Sequence, residues 1–244
     1  MWRGLILLLW ALPAVAQDRA PVEARFQDWL EQVIWPQAQA RGVDRQIYDA
    51  ALGGVTLDWD VPSLILPDGF APRNQSTKQA EFRGPARYFN TDNLIASTRI
   101  GRDKGRQLDA ALTSIEGRFG VPRHILLAIW GRESGFGAVP IRDNPFPVLA
   151  TRGFMGRNAS YFTGEVVALL QIAQAGHVPL ADLKSSWAGA LGQPQFMPSS
   201  FLAYAADGDR DGRKDIWGSK VDTLASIASF LNTHDWDRNR GWGF

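Results

Sequence analysis

Glu133 is a single carboxylate at the end of an unusually apolar stretch of this 244-residue chain. Six consecutive apolar residues, Ile125 to Trp130, precede it, and glycines follow at positions 135 and 137. Such a run predicts a helix over 122–134 that is buried on most sides. In its last turn, partial burial and the negative end of the helix dipole would both raise the pKa of Glu133. A carboxylic acid that stays protonated near neutral pH can act as a general acid.

The same carboxylate also has a purely structural interpretation. Arg132 precedes Glu133 directly, and an ion pair with this or another arginine would also perturb the carboxylate. The stretch taken by itself leaves both interpretations open.

A second region, residues 185–201, alternates small residues with amides and aromatic rings. Gly189 and Gly192 allow close approach of another backbone or of a ligand. Gln193 and Gln195 supply amide donors and acceptors. The pattern is typical either of a ligand-binding turn or of a tightly packed structural turn.

An acidic loop follows at residues 207–215. Aspartates occupy positions 1, 3, 5 and 9 of an EF-hand loop and a glycine occupies position 6: Asp207, Asp209, Asp211, Asp215 and Gly212. Oxygen ligands at these intervals can surround a hard cation such as calcium. The end of the loop departs from the pattern, because Gly218 replaces the bidentate glutamate, although Asp222 could close a longer loop. Nearby basic residues predict weak affinity, and a solvated Asp/Gly turn is the alternative.

Composition excludes several other classes of function. The net charge of +1 gives no electrostatic argument for a nucleic-acid partner. The chain has no cysteine, so it has no disulfides and no cysteine–metal sites. Its three histidines are far apart, and it has neither a nucleophile elbow nor a glycine-rich phosphate loop. We therefore expect no organic cofactor.

Residues 1–16 have the pattern of a secretory signal peptide. Arg3 precedes the short apolar core Leu5–Leu12, and Ala14–Ala16 fits a cleavage site. The apolar stretch is too short to span a membrane securely. We expect cleavage near Ala16 and export without stable membrane insertion; an uncleaved anchor is the alternative.

Hydrophobic periodicity predicts a mainly α-helical fold, since alternating strand patterns are nearly absent. Helical spacing recurs at 26–34 (before Pro36), 44–53, 78–90, 93–119, 122–134, 158–176, 199–204 and 221–233. Asp44, Asp92 or Asn93, and Asn158 are the predicted helix caps. Residues 54–76 and 138–148 are predicted loops, because proline and glycine interrupt them.

Taken together, three motifs resemble a known family. Residues 130–137, 186–200 and 207–217, in this order, are similar to the lytic murein transglycosylases of the membrane-bound transglycosylase B type (glycoside hydrolase family 103). The resemblance covers roughly residues 22–242. It implies one catalytic domain over 17–244, in which an N-terminal helical segment (22–120) precedes a lysozyme-like helical core (121–244). The core carries the EF-hand-like loop, residues 207–222.

The resemblance also implies an activity and a site. The implied partner is the glycan strand of peptidoglycan, cut between N-acetylmuramic acid and N-acetylglucosamine to leave a 1,6-anhydromuramoyl end. Glu133 matches the sole catalytic acid and base. Ser186 and Gln195 match groove-lining positions, and Phe136 and Phe196, in the same motifs, are further candidate substrate-binding residues. The implied ligands of a weakly held, structural calcium ion are Asp207, Asp209, Asp211, Arg213 (through its carbonyl) and Asp222.

Three departures qualify the resemblance. The leader lacks a lipid-anchoring cysteine, Gln193–Pro194 replaces the more usual pair before Gln195, and the sequence ends at Phe244, where longer relatives continue with further glycan-binding residues. We therefore expect a soluble, C-terminally short, periplasmic relative, with other cell-wall enzymes as candidate partners. Two alternatives stay open: a hydrolytic muramidase that activates water with a second carboxylate such as Asp143, and a non-catalytic murein-binding scaffold.

Overall fold

The computed structural model describes residues 18–67, 70 and 90–240. Within these residues the regular elements are helical, which confirms the predicted mainly α class. The α-helices are α1 (Ala20–Trp29), α2 (Trp35–Gln39), α3 (Arg45–Leu52), α4 (Thr91–Gln107), α5 (Asp109–Phe119), α6 (Arg123–Ser134), α7 (Pro145–Met155), α8 (Ala159–Ala175), α9 (Pro198–Tyr204) and α10 (Lys220–Thr233). A π-helical turn (Leu30–Ile34) and a 3₁₀ turn (Leu180–Asp182) complete the set.

The first helical segment passes through Pro36 instead of ending there. The π-helical turn joins α1 to α2, and the Trp35 N–H donates to the Leu30 carbonyl, five residues back. Pro36 then falls at the start of α2, where its missing N–H is least costly. The helix therefore continues to Gln39.

The predicted caps had mixed outcomes: Asp44 and Asn158 occupy N-cap positions but make no capping side-chain hydrogen bond, and the cap of α4 was assigned to the wrong residue. Asn90, not Asp92 or Asn93, caps α4, because its side chain accepts a hydrogen bond from the Asn93 N–H. Asp44 occupies the N-cap position of α3, but its carboxylate accepts from the Gln174 side chain at 2.9 Å and so joins α3 to α8.

Helix α7 is the main element that the sequence analysis missed. Residues 145–148 were predicted as loop because of two prolines, yet both lie in the first turn of a helix. The early N–H groups of a helix have no partner within it, so proline is tolerated there. The Asn144 side chain caps the helix by accepting from the Phe146 N–H at 3.1 Å.

Two hydrophobic cores organise the described chain. The first joins α1–α3 to α7 and α8 through buried side chains such as Phe26, Ile34 and Leu149. The second joins α5, α6 and α10 through side chains such as Leu112 and Trp130. Each core contains residues from both sides of position 120, so packing does not divide the chain at the predicted boundary.

Some predictions lie outside the described residues. These are the signal peptide over 1–16 and the short helix predicted over 78–90. Among the described residues, no helix is long and apolar enough to cross a bilayer.

Candidate active site

Helix α6 is buried along its inner face and carries Glu133 at the protein surface. Its inner face is fixed by Leu126 and Trp130, both fully buried. The helix ends at Gly135, which adopts the left-handed conformation (φ 59°) that glycine accepts without strain. Glu133 therefore sits in the last helical turn, as predicted, with its side chain reaching solvent.

The surroundings of Glu133 favour its protonated form. Burial of the inner side of the carboxyl group raises the pKa of Glu133, and the charge of Arg132 lowers it by a smaller amount. No described residue forms a hydrogen bond or an ion pair with the carboxylate, so the structural ion-pair interpretation gains no support. An acid that is partly desolvated, exposed and unpaired is suited to proton transfer.

Phe136 lies beneath the site. It is only 8% exposed, and its ring meets Trp130 edge to face with the centroids 5.6 Å apart. A Cβ atom on Gly131 would lie 2.5 Å from the ring, so the glycine makes room for it. In this position Phe136 has a left-handed backbone (φ 61°), which is unfavourable for a residue with a side chain. Its burial favours a packing role over the predicted contact with substrate.

Ser186 belongs to a compact turn that small β-bridges hold in place. The bridges pair Asp143 with Ser185, Ser185 with Leu191, and Leu191 with Phe196. The Ser186 N–H donates to the Ala190 carbonyl at 2.8 Å and closes the turn.

The turn rests directly on α7. Gly189 has φ 91°, and a Cβ there would lie 2.4 Å from a methyl group of Leu149. Only glycine fits at this position, which explains part of the small-residue pattern.

Gln195 and Phe196 lie on the return arm of the turn. Gln195 has a left-handed backbone (φ 55°), and its amide nitrogen donates to the Gly192 carbonyl at 2.8 Å, which leaves the amide oxygen for a ligand. Phe196 is 8% exposed and packs in the first core. Substrate contact stays a prediction for Gln195, while the burial of Phe196 favours packing.

Gln193 connects these parts. Its amide oxygen accepts from the Trp130 indole N–H at 2.8 Å, and its amide nitrogen donates to the Trp217 carbonyl at 2.8 Å. Its backbone N–H donates to the Ile216 carbonyl at 2.9 Å. The residue therefore links α6, the turn and the acidic loop. The sequence pattern indicates an amide at position 193 but does not predict that it bridges Trp130 and Trp217.

The acidic loop brings three of the predicted metal ligands together. Carboxylate oxygens of Asp207, Asp209 and Asp211 lie within 4.8 Å of one another. The loop backbone supports this arrangement, since the N–H groups of Arg210 and Gly212 donate to Asp207. A cluster of hard oxygen donors without an ion-pair partner among the described residues fits calcium.

Asp222 lies outside that three-carboxylate cluster and has hydrogen-bond partners of its own. The Asp222 carboxylate accepts from the N–H groups of Gly208 and Asp215, each at 2.8 Å, and is 1% exposed. Burial raises the pKa of Asp222, and these hydrogen bonds oppose the shift. Asp222 therefore braces both ends of the loop. The Arg213 side chain donates to the His177 carbonyl, which leaves its own carbonyl for the predicted ligand role.

A cleft of about 650 Å³ lies beside the acidic loop. Its lining includes Gly137, Gln193, Asp211 and Trp217. Glu133, Ser186 and Gln195 do not line it.

These features define a lysozyme-like helical protein with one exposed, partly desolvated glutamate beside a glycine-rich turn. Among known protein families, the family model of the Transglycosylase SLT domain matches residues 25–244 of this chain. The chain belongs to this family.

Individual relatives agree. Membrane-bound lytic murein transglycosylase B of Escherichia coli K12 is 37% identical over 131 residues, which are 53% of this chain and 36% of the relative. SltB3 of Pseudomonas aeruginosa in complex with NAG-anhNAM-pentapeptide superposes with a TM-score of 0.74 and 32% identity, over 90% of this chain and 56% of that one. Escherichia coli Slt35 in complex with calcium superposes with a TM-score of 0.68 and 29% identity, over 91% of this chain and 65% of that one. This chain thus spans less than two thirds of each relative.

Gln193→Leu tests how much the hydrogen bonds of the buried Gln193 side chain contribute to stability. Leucine fills a similar volume but leaves the Trp130 indole N–H without an acceptor, so we expect the free energy of unfolding to fall by about 2 kcal/mol. Denaturant unfolding measures this change. The exposed glutamine on α2, Gln37, is the control, and Gln37→Leu should cost less than about 0.5 kcal/mol. Equal effects of the two substitutions would contradict the assigned role.

Proposed function

We propose that this chain is a lytic transglycosylase of peptidoglycan. It cleaves the β-1,4 bond between N-acetylmuramic acid and N-acetylglucosamine and leaves a 1,6-anhydromuramoyl end. The observation that carries the proposal is Glu133, a single unpaired carboxyl group with a raised pKa, on the connected framework of α6 and the 185–196 turn. Family membership and the bound NAG-anhNAM-pentapeptide of SltB3 support the same chemistry.

In the first step Glu133 acts as an acid. Its carboxyl proton passes to the glycosidic oxygen, the bond from that oxygen to the anomeric carbon breaks, and the N-acetylglucosamine side leaves as an alcohol. The 2-acetamido carbonyl oxygen of the muramoyl sugar bonds to the anomeric carbon from the opposite face. The substrate thereby supplies the nucleophile that most glycosidases take from a second carboxylate.

In the second step Glu133, now a carboxylate, acts as a base. It takes the proton of the sugar's C6 hydroxyl, whose oxygen attacks the anomeric carbon while the acetamido oxygen leaves. The C6 hydroxyl and the anomeric carbon belong to one sugar, so the effective concentration of the hydroxyl is high. Its attack is therefore faster than attack by water. We assign Ser186 to orienting the acetamido group and the Gln195 amide oxygen to a sugar hydroxyl.

Glu133→Gln tests the mechanism. Glutamine keeps the shape but supplies no proton, so we expect release of anhydromuropeptides from murein sacculi to fall at least about a thousandfold. Mass spectrometry of the released fragments measures it. A matched change at the exposed Glu31, Glu31→Gln, should leave release unchanged. Undiminished release by Glu133→Gln would refute the assignment.

The same fragments distinguish hydrolysis from transglycosylation. Asp143 is exposed, and its backbone pairs with Ser185, directly before Ser186, so a second carboxylate does lie near the turn. Products carrying an added water would identify a muramidase. No fragments from the wild type would instead support a non-catalytic murein-binding scaffold.

The pH profile should depend on Arg132. Glu133 must be protonated in the first step, so activity falls as pH rises through its pKa. The charge of Arg132 lowers that pKa, and Arg132→Gln should therefore move the alkaline limb of the profile to higher pH. Arg132→Lys keeps the charge and should leave the limb in place. A shift to lower pH in Arg132→Gln would contradict this electrostatic account.

We further propose that the acidic loop holds calcium. Asp207, Asp209 and Asp211 would bind it, with the Arg213 carbonyl and Asp222 completing the set; calcium bound to Slt35 supports this. The ion would neutralise the clustered carboxylates and stabilise the loop that contacts Gln193 through Trp217.

Calcium should raise the melting temperature of the protein by several degrees, because it binds the folded state preferentially. Asp209→Asn removes one charge from the cluster and should abolish most of that increase. Asp28→Asn, an exposed change on α1, should preserve it. An equal increase in all three proteins, or none in the wild type, would contradict the site.

We also propose a periplasmic location, because residues 1–16 fit a cleavable export signal.

A further inference from the structure

Arg152, on α7, is a cation that has no acidic partner among the described residues. Its guanidinium carbon lies 5.1 Å from the ring centroid of Phe162 and 5.8 Å from that of Trp187. Its Nε atom is buried and has no hydrogen-bond partner among the described residues. Burial lowers the pKa of Arg152, and no neighbouring charge contributes to the shift.

Such a placement is unfavourable for the isolated protein. A guanidinium group loses hydration on burial, and folded proteins usually compensate with a carboxylate or a full set of hydrogen bonds. The aromatic rings offset part of this cost through cation–π attraction. They accept no hydrogen bond in the plane of the guanidinium group, so the buried Nε–H still lacks a partner among the described residues. A leucine would fill the space between the rings without that cost.

The position of Arg152 points to where a partner would come from. Leu149, one helical turn earlier on α7, contacts Gly189 of the turn that carries Ser186. Trp187, directly after Ser186, is 47% exposed. Arg152 is itself only partly buried, so it borders the same surface as the proposed glycan site.

We propose that Arg152, which lies against the rings of Phe162 and Trp187, binds a carboxylate of the murein substrate. A planar guanidinium group pairs with a carboxylate through two parallel hydrogen bonds, and a ligand carboxylate would supply the missing counter-charge. Murein offers two sources: the free carboxylates of the stem peptide, and the lactyl carboxylate of a muramoyl sugar that has lost its peptide. This inference rests on the proposed function, since it names a further part of the same substrate.

Calorimetric binding in a Glu133→Gln background tests the proposal without turnover. The ligands are NAG-NAM-pentapeptide, the same compound with its carboxylates amidated, peptide-free NAG-NAM, and an N-acetylglucosamine oligomer. Arg152→Leu should weaken binding of the acidic pentapeptide compound or of the peptide-free disaccharide by about tenfold or more, as expected for loss of a charged hydrogen-bonded pair. The amidated compound and the oligomer should bind as before. Arg152→Lys should retain part of the affinity, and Arg41→Leu, an exposed change of equal charge in the turn after α2, should retain all of it.

The outcomes separate the two sources. Sensitivity of the pentapeptide compound alone assigns the stem-peptide carboxylates, and sensitivity of the peptide-free disaccharide assigns the lactyl carboxylate. Equal losses for acidic and amidated ligands, or no loss for any ligand, overturn the proposal. A purely structural Arg152 would also make Arg152→Leu less stable to thermal unfolding, whereas a ligand site predicts unchanged or higher stability.

Failure of this inference is distinguishable from failure of the proposed function. If the wild type releases no anhydromuropeptides but Arg152-dependent binding of acidic ligands persists, cleavage is refuted and the carboxylate site stands. If the wild type cleaves murein while Arg152→Leu binds acidic ligands normally, the carboxylate site is refuted and cleavage stands.

Discussion

The buried side chain of Gln193 is the constraint on which the site depends. Its amide accepts from Trp130 and donates to Trp217, so both of its polar ends are satisfied. A buried amide that lost either partner would cost about 1–3 kcal/mol, and this penalty ties three segments to one arrangement. Gly137 contributes by leaving room, because a Cβ there would lie 2.5 Å from the Gln193 amide oxygen.

The electrostatics of Glu133 follow from this framework. Trp130 is fully buried and hydrogen-bonded to Gln193, and these contacts fix the position of the last turn of α6. Glu133, in that last turn, is exposed to solvent and yet partly desolvated. Desolvation then outweighs the neighbouring charge of Arg132, and the net effect is a raised pKa. Deeper burial would prevent contact with substrate, and fuller exposure would remove the shift.

Much of this was predictable from sequence where a local rule decides the outcome. The helix ending at Glu133 follows from its apolar run and terminal glycines, and the clustered aspartates follow from their spacing. The helix is less buried than predicted, because His124, Ala128 and Arg132 leave one face exposed. The tertiary partners were not predictable. Asp44 has the residue type of a cap but bonds to Gln174, far along the chain, and the prolines of α7 were misread because the helix begins at them. Burial of Phe136 and Phe196 was missed because motif residues near a site can support it from below.

The site takes residues from both hydrophobic cores, and each core contains residues from both sides of position 120. Trp130 belongs to one core and Phe196 to the other, while Gln193 lies between them in the same turn as Phe196. Neither core alone would position both Glu133 and Ser186. Phe136 shows the same dependence, because its left-handed backbone is stable only while its ring packs on Trp130 and Gly131. The placement of Glu133 and of the 185–196 turn therefore depends on both cores, and not on residues 121–240 by themselves.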